Sequence, residues 1–301
     1  MKRTTRFRQL VEAPEILCLP GVQDALTARV AERAGFDAMT CGGYSATACL
    51  LGRPDTSVLS LTELADHYRR ICDAVEVPVF GDGDTGFGNI TNAVRTVRML
   101  EAAGLAGTFL EDQVFPKRCG HMTGKAVVPV EEMVAKLKAA LDARRDPDFV
   151  LVARTDAIAV EGLDAAIERA NIYRETGVDM IFVEAPESVE AMRRICREIP
   201  APCLANNIEG GRTPLLSGAE LQEIGYAAYA HPVAISHAIA HLAFELFTAL
   251  RRDGTTAALA DRMTGFSEFH ALLGLPEQRR AEERYQDFAQ DLLARHGRTS
   301  R

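Results

Sequence analysis

Short apolar runs recur along the chain, and each gives way to a longer stretch in which apolar residues return every three or four positions. The runs cover residues 16–19, 38–41, 77–80, 108–110, 149–153, 180–183, 202–205 and 226–229, and read as strands. The stretches of helical period cover residues 24–34, 61–74, 92–103, 130–144, 163–176, 189–198 and 217–224. Gly35, Gly104, Gly177 and Gly225 stand where such helices stop. Eight strand-then-helix units, with residues 236–250 as the eighth helix, predict a (β/α)8 TIM barrel. A doubly wound open sheet is the alternative, though it seldom carries eight such evenly spaced units.

The rhythm breaks after Leu250. Residues 251–276 hold short or broken elements, and residues 277–296 read as one long charged helix. Its apolar residues Ala281, Tyr285, Phe288, Leu292 and Leu293 form a stripe with no obvious partner inside a barrel. Docking on another subunit would cover it, as would packing back on its own barrel. Residues 1–250 are therefore read as a catalytic barrel and residues 251–301 as a C-terminal helical arm for oligomerisation.

Composition narrows the partners. Apolar residues make up 47% of the 301, enough for a large core, and the net charge of −8 comes without a dense basic patch, which argues against nucleic acid and anionic membranes. No apolar stretch reaches the roughly 20 residues that span a bilayer. The basic start runs into Glu12 and Pro14 instead of an apolar segment, so no signal peptide is read. Seven cysteines without framework spacing fit reduced thiols in a cytoplasmic protein. An acidic chain with a local Lys/Arg cluster suits a small anionic carboxylate.

That cluster lies in Glu111-Asp-Gln-Val-Phe-Pro-Lys-Arg-Cys-Gly-His121, at the end of an apolar run. Lys117, Arg118 and His121 flank Cys119, and positive neighbours are expected to lower its pKa. After the third strand comes Gly81-Asp-Gly-Asp-Thr-Gly-Phe-Gly-Asn89. Asp82 and Asp84 are two apart, hence on one side of an extended chain, and can converge on a hard cation. No G-K-[ST] follows, so a phosphate loop does not fit. Later strands end in Glu111 and Asp112, then Arg154 and Asp156, then Glu184, then Asn206 and Glu209, and Asp55 adds a carboxylate from the second loop. Barrel active sites sit at these carboxyl ends. Four or five carboxylates suit Mg²⁺ or Mn²⁺, whereas a lone Cys and His make no zinc set.

These motifs, with Ala153-Arg-Thr-Asp-Ala157 and Leu204-Ala-Asn-Asn-Ile-Glu-Gly-Gly-Arg-Thr-Pro214, make the chain resemble the isocitrate lyase/phosphoenolpyruvate mutase superfamily, nearest its 2-methylisocitrate lyase and 2,3-dimethylmalate lyase branch. The likeness runs from about residue 7 to 290. It implies a barrel whose eighth helix is exchanged between paired subunits, in homotetramers. It implies Asp82 and Asp84 at an Mg²⁺ site, with Mn²⁺ as a substitute, and Asp55 and Glu111 holding the ion's waters. Arg154, Glu184 and Asn206 would contact the substrate's 2-hydroxy acid end, with Gly43, Tyr44, Gly120 and Glu209 as further contacts. Residues 115–125 would form a gating loop. The implied reaction is cleavage of a 2-hydroxy di- or tricarboxylate to pyruvate or a related keto acid plus succinate or propionate. In it Lys117, Arg118 and His121 stabilise a carbanion that Cys119 protonates.

Departures bear on substrate choice. Tyr44 is displaced from the tyrosine that precedes Ser-Gly-Gly in methylisocitrate lyases. The run from Ile208 resembles dimethylmalate lyases and phosphonate mutases more than methylisocitrate lyases. Pro232 stands where oxaloacetate hydrolases carry Ser, which weighs against that hydrolysis. The alternatives are a carboxyphosphonoenolpyruvate-type phosphonomutase, an oxaloacetate hydrolase, and a non-enzymatic acid sensor.

Overall fold

Each apolar run becomes a parallel strand in the computed structural model, which describes residues 1–122 and 124–297. In chain order the elements are α1 (Arg3–Glu12), β1 (Leu17–Pro20), α2 (Ala25–Arg33), β2 (Met39–Cys41), α3 (Gly43–Leu51), α4 (Leu61–Ala74), β3 (Val79–Asp82), α5 (Ile90–Ala102), β4 (Gly107–Glu111), α6 (Val130–Ala143) and β5 (Val150–Thr155). Then follow α7 (Ile158–Glu161), α8 (Leu163–Arg174), β6 (Met180–Val183), α9 (Val189–Glu198), β7 (Leu204–Asn206), α10 (Gly218–Ile224), β8 (Ala228–His231) and α11 (Ala234–Asp253). A 3₁₀ turn (Ala257–Arg262), α12 (Phe266–Leu272) and α13 (Leu275–Arg295) complete the chain. Gly35, Gly104, Gly177 and Gly225 adopt positive φ just past their helices, which residues without a side chain do at least cost.

The strands form two parallel sheets, β2-β3-β4-β5-β6 and β1-β8-β7. Single parallel bridges, Gly21 to Thr40 and Ile181 to Cys203, run from one sheet to the other. The register aligns the strand ends: Asp82 pairs with Phe109, Glu111 with Arg154, Thr155 with Val183, and Asn206 with Ala230. The fold is thus mixed α/β with its polar residues gathered at the carboxyl ends of parallel strands.

Two apolar clusters hold this frame. The larger packs helices on strands. The smaller draws Leu19, Phe80, Phe109, Val152, Phe182 and Leu204 from both sheets. Phe7 of α1 joins it, stacked on Phe80 at 5.6 Å between ring centroids. Helix α1 lies at the amino ends of the strands, where Arg3 donates to the Val75 carbonyl and Arg8 pairs with Asp179.

By its internal contacts the chain divides into residues 1–240 and residues 241–301. Residue 250 lies within α11. In the second unit Arg262 pairs with Glu245, and Phe244, Phe247, Phe266, Tyr285 and Phe288 are exposed. Among the described residues no helix is long and apolar enough to cross a membrane.

Candidate active site

The site begins with Asp82, the last residue of β3. The Tyr68 hydroxyl donates to the Asp82 carbonyl at 3.1 Å and accepts from the Asp82 amide at 2.9 Å, so α4 holds this backbone from behind. Gly83 lets the turn pass, because a Cβ there would lie 2.5 Å from the Phe109 carbonyl oxygen. Asp82 Oδ1 accepts from the Asp84 amide at 2.8 Å and Oδ2 from the Gly43 amide at 2.9 Å.

Asp84 does meet the same Lys117 ammonium as Asp82, but not by strand alternation. It lies beyond the end of β3 with φ +48°, a left-handed conformation, so the extended-chain argument is corrected to a turn held by the Asp82 side chain. Lys117 from the loop after β4 meets these acids. Its Nζ is 2.6 Å from Asp55, 2.8 Å from Asp84 and 3.9 Å from Asp82, all buried.

A second charged group sits beside the first. Arg154 at the end of β5 donates to Asp156 at 2.9 and 3.2 Å, lies 3.3 Å from both Glu111 and Glu184, and stacks over Phe182 at 4.9 Å. Glu184 accepts from Asn206 Nδ2 at 3.2 Å and lies 2.8 Å from His121 Nε2. His121 Nδ1 accepts from the Arg212 amide, tying the loop to the segment after β7.

Burial disfavours every buried carboxylate, and neighbours decide the outcome. Desolvation pushes Asp84 up to about 7 despite Lys117, and lifts Glu111 well above the usual range despite Arg154. Burial acts the same way on Glu184 and Asp156, but Arg154 outweighs it, with His121 and Lys125 helping. Glu184 is held low, and Asp156 falls to about 2.

Cys119 corrects the sequence expectation. Its pKa is raised, chiefly by burial, with Glu184 and Asp55 adding to it against a hydrogen bond from His121 and the charge of Arg154. The neighbouring cations do not act as supposed: the Lys117 ammonium is turned into the Asp55 and Asp84 carboxylates, and Arg118 is exposed.

One cavity joins most of these groups. It is lined by Gly43, Tyr44, Asp55, Asp82, Lys117, Cys119, Gly120, His121, Arg154, Glu184 and Asn206, and so gathers most residues singled out from the sequence. Asp84 and Glu111 are not in this lining. Arg118 lines an adjoining pocket with Lys117 and His121. Glu209 is not in the cavity lining and lies 2.9 Å from His231 Nδ1. Sequence reading missed the apolar floor of Phe80, Phe109 and Phe182, and the wall of Leu204, Ile208 and Val233. It also missed Lys125, which donates to Asp156. The floor phenylalanines were visible as strand residues, but nothing local says which face they take.

Among the described residues no three His, Cys, Asp or Glu side chains form a ready metal-binding set. The donor chemistry nevertheless fits a hard divalent cation: the acids offer only oxygen, and both Glu111 carboxylate oxygens and Asp84 Oδ1 are buried without a hydrogen-bond donor. Asp84 Oδ1 forms a 2.8 Å ion pair with Lys117 Nζ.

Parallel strands whose carboxyl ends enclose acids, cations and a thiol in one cavity define an α/β enzyme. Residues 7–250 match the phosphoenolpyruvate phosphomutase family. The chain is 47% identical to a 2,3-dimethylmalate lyase of Eubacterium barkeri, over 95% of this chain and 99% of that protein. It is 41% identical to a 2-methylisocitrate lyase of Aeropyrum pernix, over 96% and 93%. A crystal structure of 2,3-dimethylmalate lyase superposes with a TM-score of 0.88 at 33% identity, covering 95% of this chain and 96% of that one. The chain belongs to the phosphoenolpyruvate mutase/isocitrate lyase superfamily.

Proposed function

We propose that this chain is a metal-dependent carbon–carbon lyase for a branched 2-hydroxydicarboxylate of the 2,3-dimethylmalate type, with 2-methylisocitrate as the related tricarboxylate. Pyruvate or a related keto acid leaves together with a propionate- or succinate-type acid. The observation that carries this reading is the shared cavity, in which Cys119, His121 and Arg154 face the same space as Asp55 and Asp82. Mg²⁺ or Mn²⁺ held by Asp82 and Asp84, with Asp55 and Glu111 holding its waters, would lower the pKa of the substrate hydroxyl.

The remaining roles fall to the chain's own side chains. Arg154, Glu184 and Asn206 receive the 2-hydroxy acid end, with Gly43, Tyr44 and Gly120 against it and Glu209 further out. As the hydroxyl passes its proton to a carboxylate lining the cavity and becomes a ketone, the C–C bond breaks and its electron pair stays on the carbon beside the second carboxylate. Lys117 and His121, with Arg118 at the adjoining mouth, offset the negative charge growing there. Cys119 delivers a proton to that carbon. A thiol kept protonated by burial suits this task, and opening of loop 115–125 lets it regain a proton from water.

Leu204, Ile208 and Val233 favour alkyl branches, because a third carboxylate laid on these apolar side chains would be desolvated with no compensating bond from them. The two sheets are taken to close as a (β/α)8 barrel across the Gly21–Thr40 and Ile181–Cys203 bridges. Residues 251–301 then serve as an arm of a homotetramer that exchanges the eighth helix. A carboxyphosphonoenolpyruvate-type mutase is the second reading, favoured by the phosphomutase family match. It needs no proton on carbon.

The test incubates the purified chain and Mg²⁺ with 2,3-dimethylmalate, 2-methylisocitrate, oxaloacetate and phosphonopyruvate, and follows the products of each. Keto acid from dimethylmalate at the highest kcat/KM supports the reading. Turnover of phosphonopyruvate or oxaloacetate alone overturns it.

A further inference from the structure

Lys125 lies at the far end of the loop that carries Cys119, and the roles above leave it unused. Its side chain is only 1% exposed. The ammonium donates to the Gly120 carbonyl at 2.5 Å and to Asp156 Oδ1 at 2.8 Å. The other Asp156 oxygen accepts from Arg154 Nε at 2.9 Å. Lys125 therefore grips the loop backbone one residue from Cys119 and, through Asp156, the guanidinium that lines the cavity.

The Asp156 end of this link is itself held by hydrogen bonds. Asp112 accepts from the Asp156 amide at 2.9 Å, from the Thr155 hydroxyl at 2.7 Å and from the Tyr173 hydroxyl at 3.0 Å. Gly120 presses directly on the site, since a Cβ there would stand 2.5 Å from both Arg154 Nη2 and Glu184 Cγ. A buried ammonium carries a desolvation penalty that only good partners offset, and a loop serving merely as surface cover has no need of one. Asp156 stands just past β5, so the Lys125–Asp156 pair ties the loop to the strand ends.

We propose that Lys125 is a positioning residue, a clamp that locks the Cys119–His121 segment onto the Asp156–Arg154 pair and so sets the thiol against the substrate. The kinetic arm of its test rests on the lyase reading; the chemical arm does not. Cys119 is half-buried and Cys49 exposed, so N-ethylmaleimide labelling followed by peptide mass spectrometry reads one thiol against the other in the full chain.

In Lys125→Met, labelling of Cys119 relative to Cys49 rises roughly ten- to hundredfold, the worth of a lost charged hydrogen bond. With Mg²⁺ and dimethylmalate, kcat falls about a hundredfold, as expected for a misplaced reacting group. KM shifts far less, and Lys125→Arg recovers part of both losses. A folded Lys125→Met with parental Cys119 labelling, or with parental kcat, overturns the clamp. Should that variant fail to fold, Lys125→Gln takes its place with the same outcomes. A parent chain that turns over none of the substrates strikes the lyase reading and leaves labelling to decide the clamp.

Discussion

Buried carboxylates differ here by the company they keep. Asp84 and Glu111 lie where burial outweighs the nearby Lys117 and Arg154, and their pKa values are raised. Asp156 and Glu184 lie on Arg154 and stay ionised. For Asp156 the sign follows directly. Its folded pKa of about 2 lies below its unfolded value, so it adds stability above about pH 4 that is lost as pH falls towards 2. Melting temperatures of the parent should therefore drop towards those of Asp156→Asn between pH 4 and 2, whereas a constant gap across that window would refute the linkage. Cys119 makes a separate prediction at this scale. Cys119→Ser keeps the shape but replaces the thiol with a far weaker acid, so kcat for keto-acid release should fall by about 10²–10⁴ with little change in KM. A loss below tenfold would point to the mutase reading.

At the scale of elements, the loop after β4 closes through backbone as much as through side chains. Gln113 holds the Arg118 carbonyl and amide, Ser57 donates to the Lys117 carbonyl, and Gly120 fills a space with no room for a methyl group. Gly120→Ala should lower kcat about a hundredfold by keeping the loop from seating, yet leave the melting temperature within a few degrees; a parental kcat would show that the loop seats differently. The strands and long helices were legible in the chain because apolar runs and helical period carry that information locally. Helix α4 begins at Leu61 as read, with Ser60 and Glu63 capping each other. Among the described residues α1, α3 and the one-turn α7 escaped. α1 is basic and buries only Phe7 and Val11, and α3 starts at Gly43 without a side-chain cap. The acids at the strand ends were legible as a group, but their pairing was not. Whether Lys117 meets Asp55 or Cys119, or whether Lys125 reaches Asp156 across 31 positions, depends on how separate strand ends converge.

For the whole molecule, the second unit poses the largest physical question. Phe244, Phe247 and Phe266 are 76%, 64% and 83% exposed, and Tyr285 and Phe288 are exposed on α13. So many aromatic side chains left in water would forfeit about 1.5–3 kcal/mol each relative to burial. A monomer with such a surface is an aggregation hazard, whereas a closed assembly of identical chains covers the same patch on every copy. On the tetramer proposed above, light scattering on the purified protein should give the mass of four chains of 32.8 kDa. Changing Phe244 and Phe247 to Glu places charge on that surface, and should yield smaller species without disturbing residues 1–240, which hold every cavity residue. A parent that runs as a stable monomer at micromolar concentration would leave those aromatics unexplained and remove the tetramer from the account. A tetramer unchanged by the double substitution would move the contact to α12 and α13, where the stripe of Tyr285, Phe288 and Leu292 is the next surface to charge.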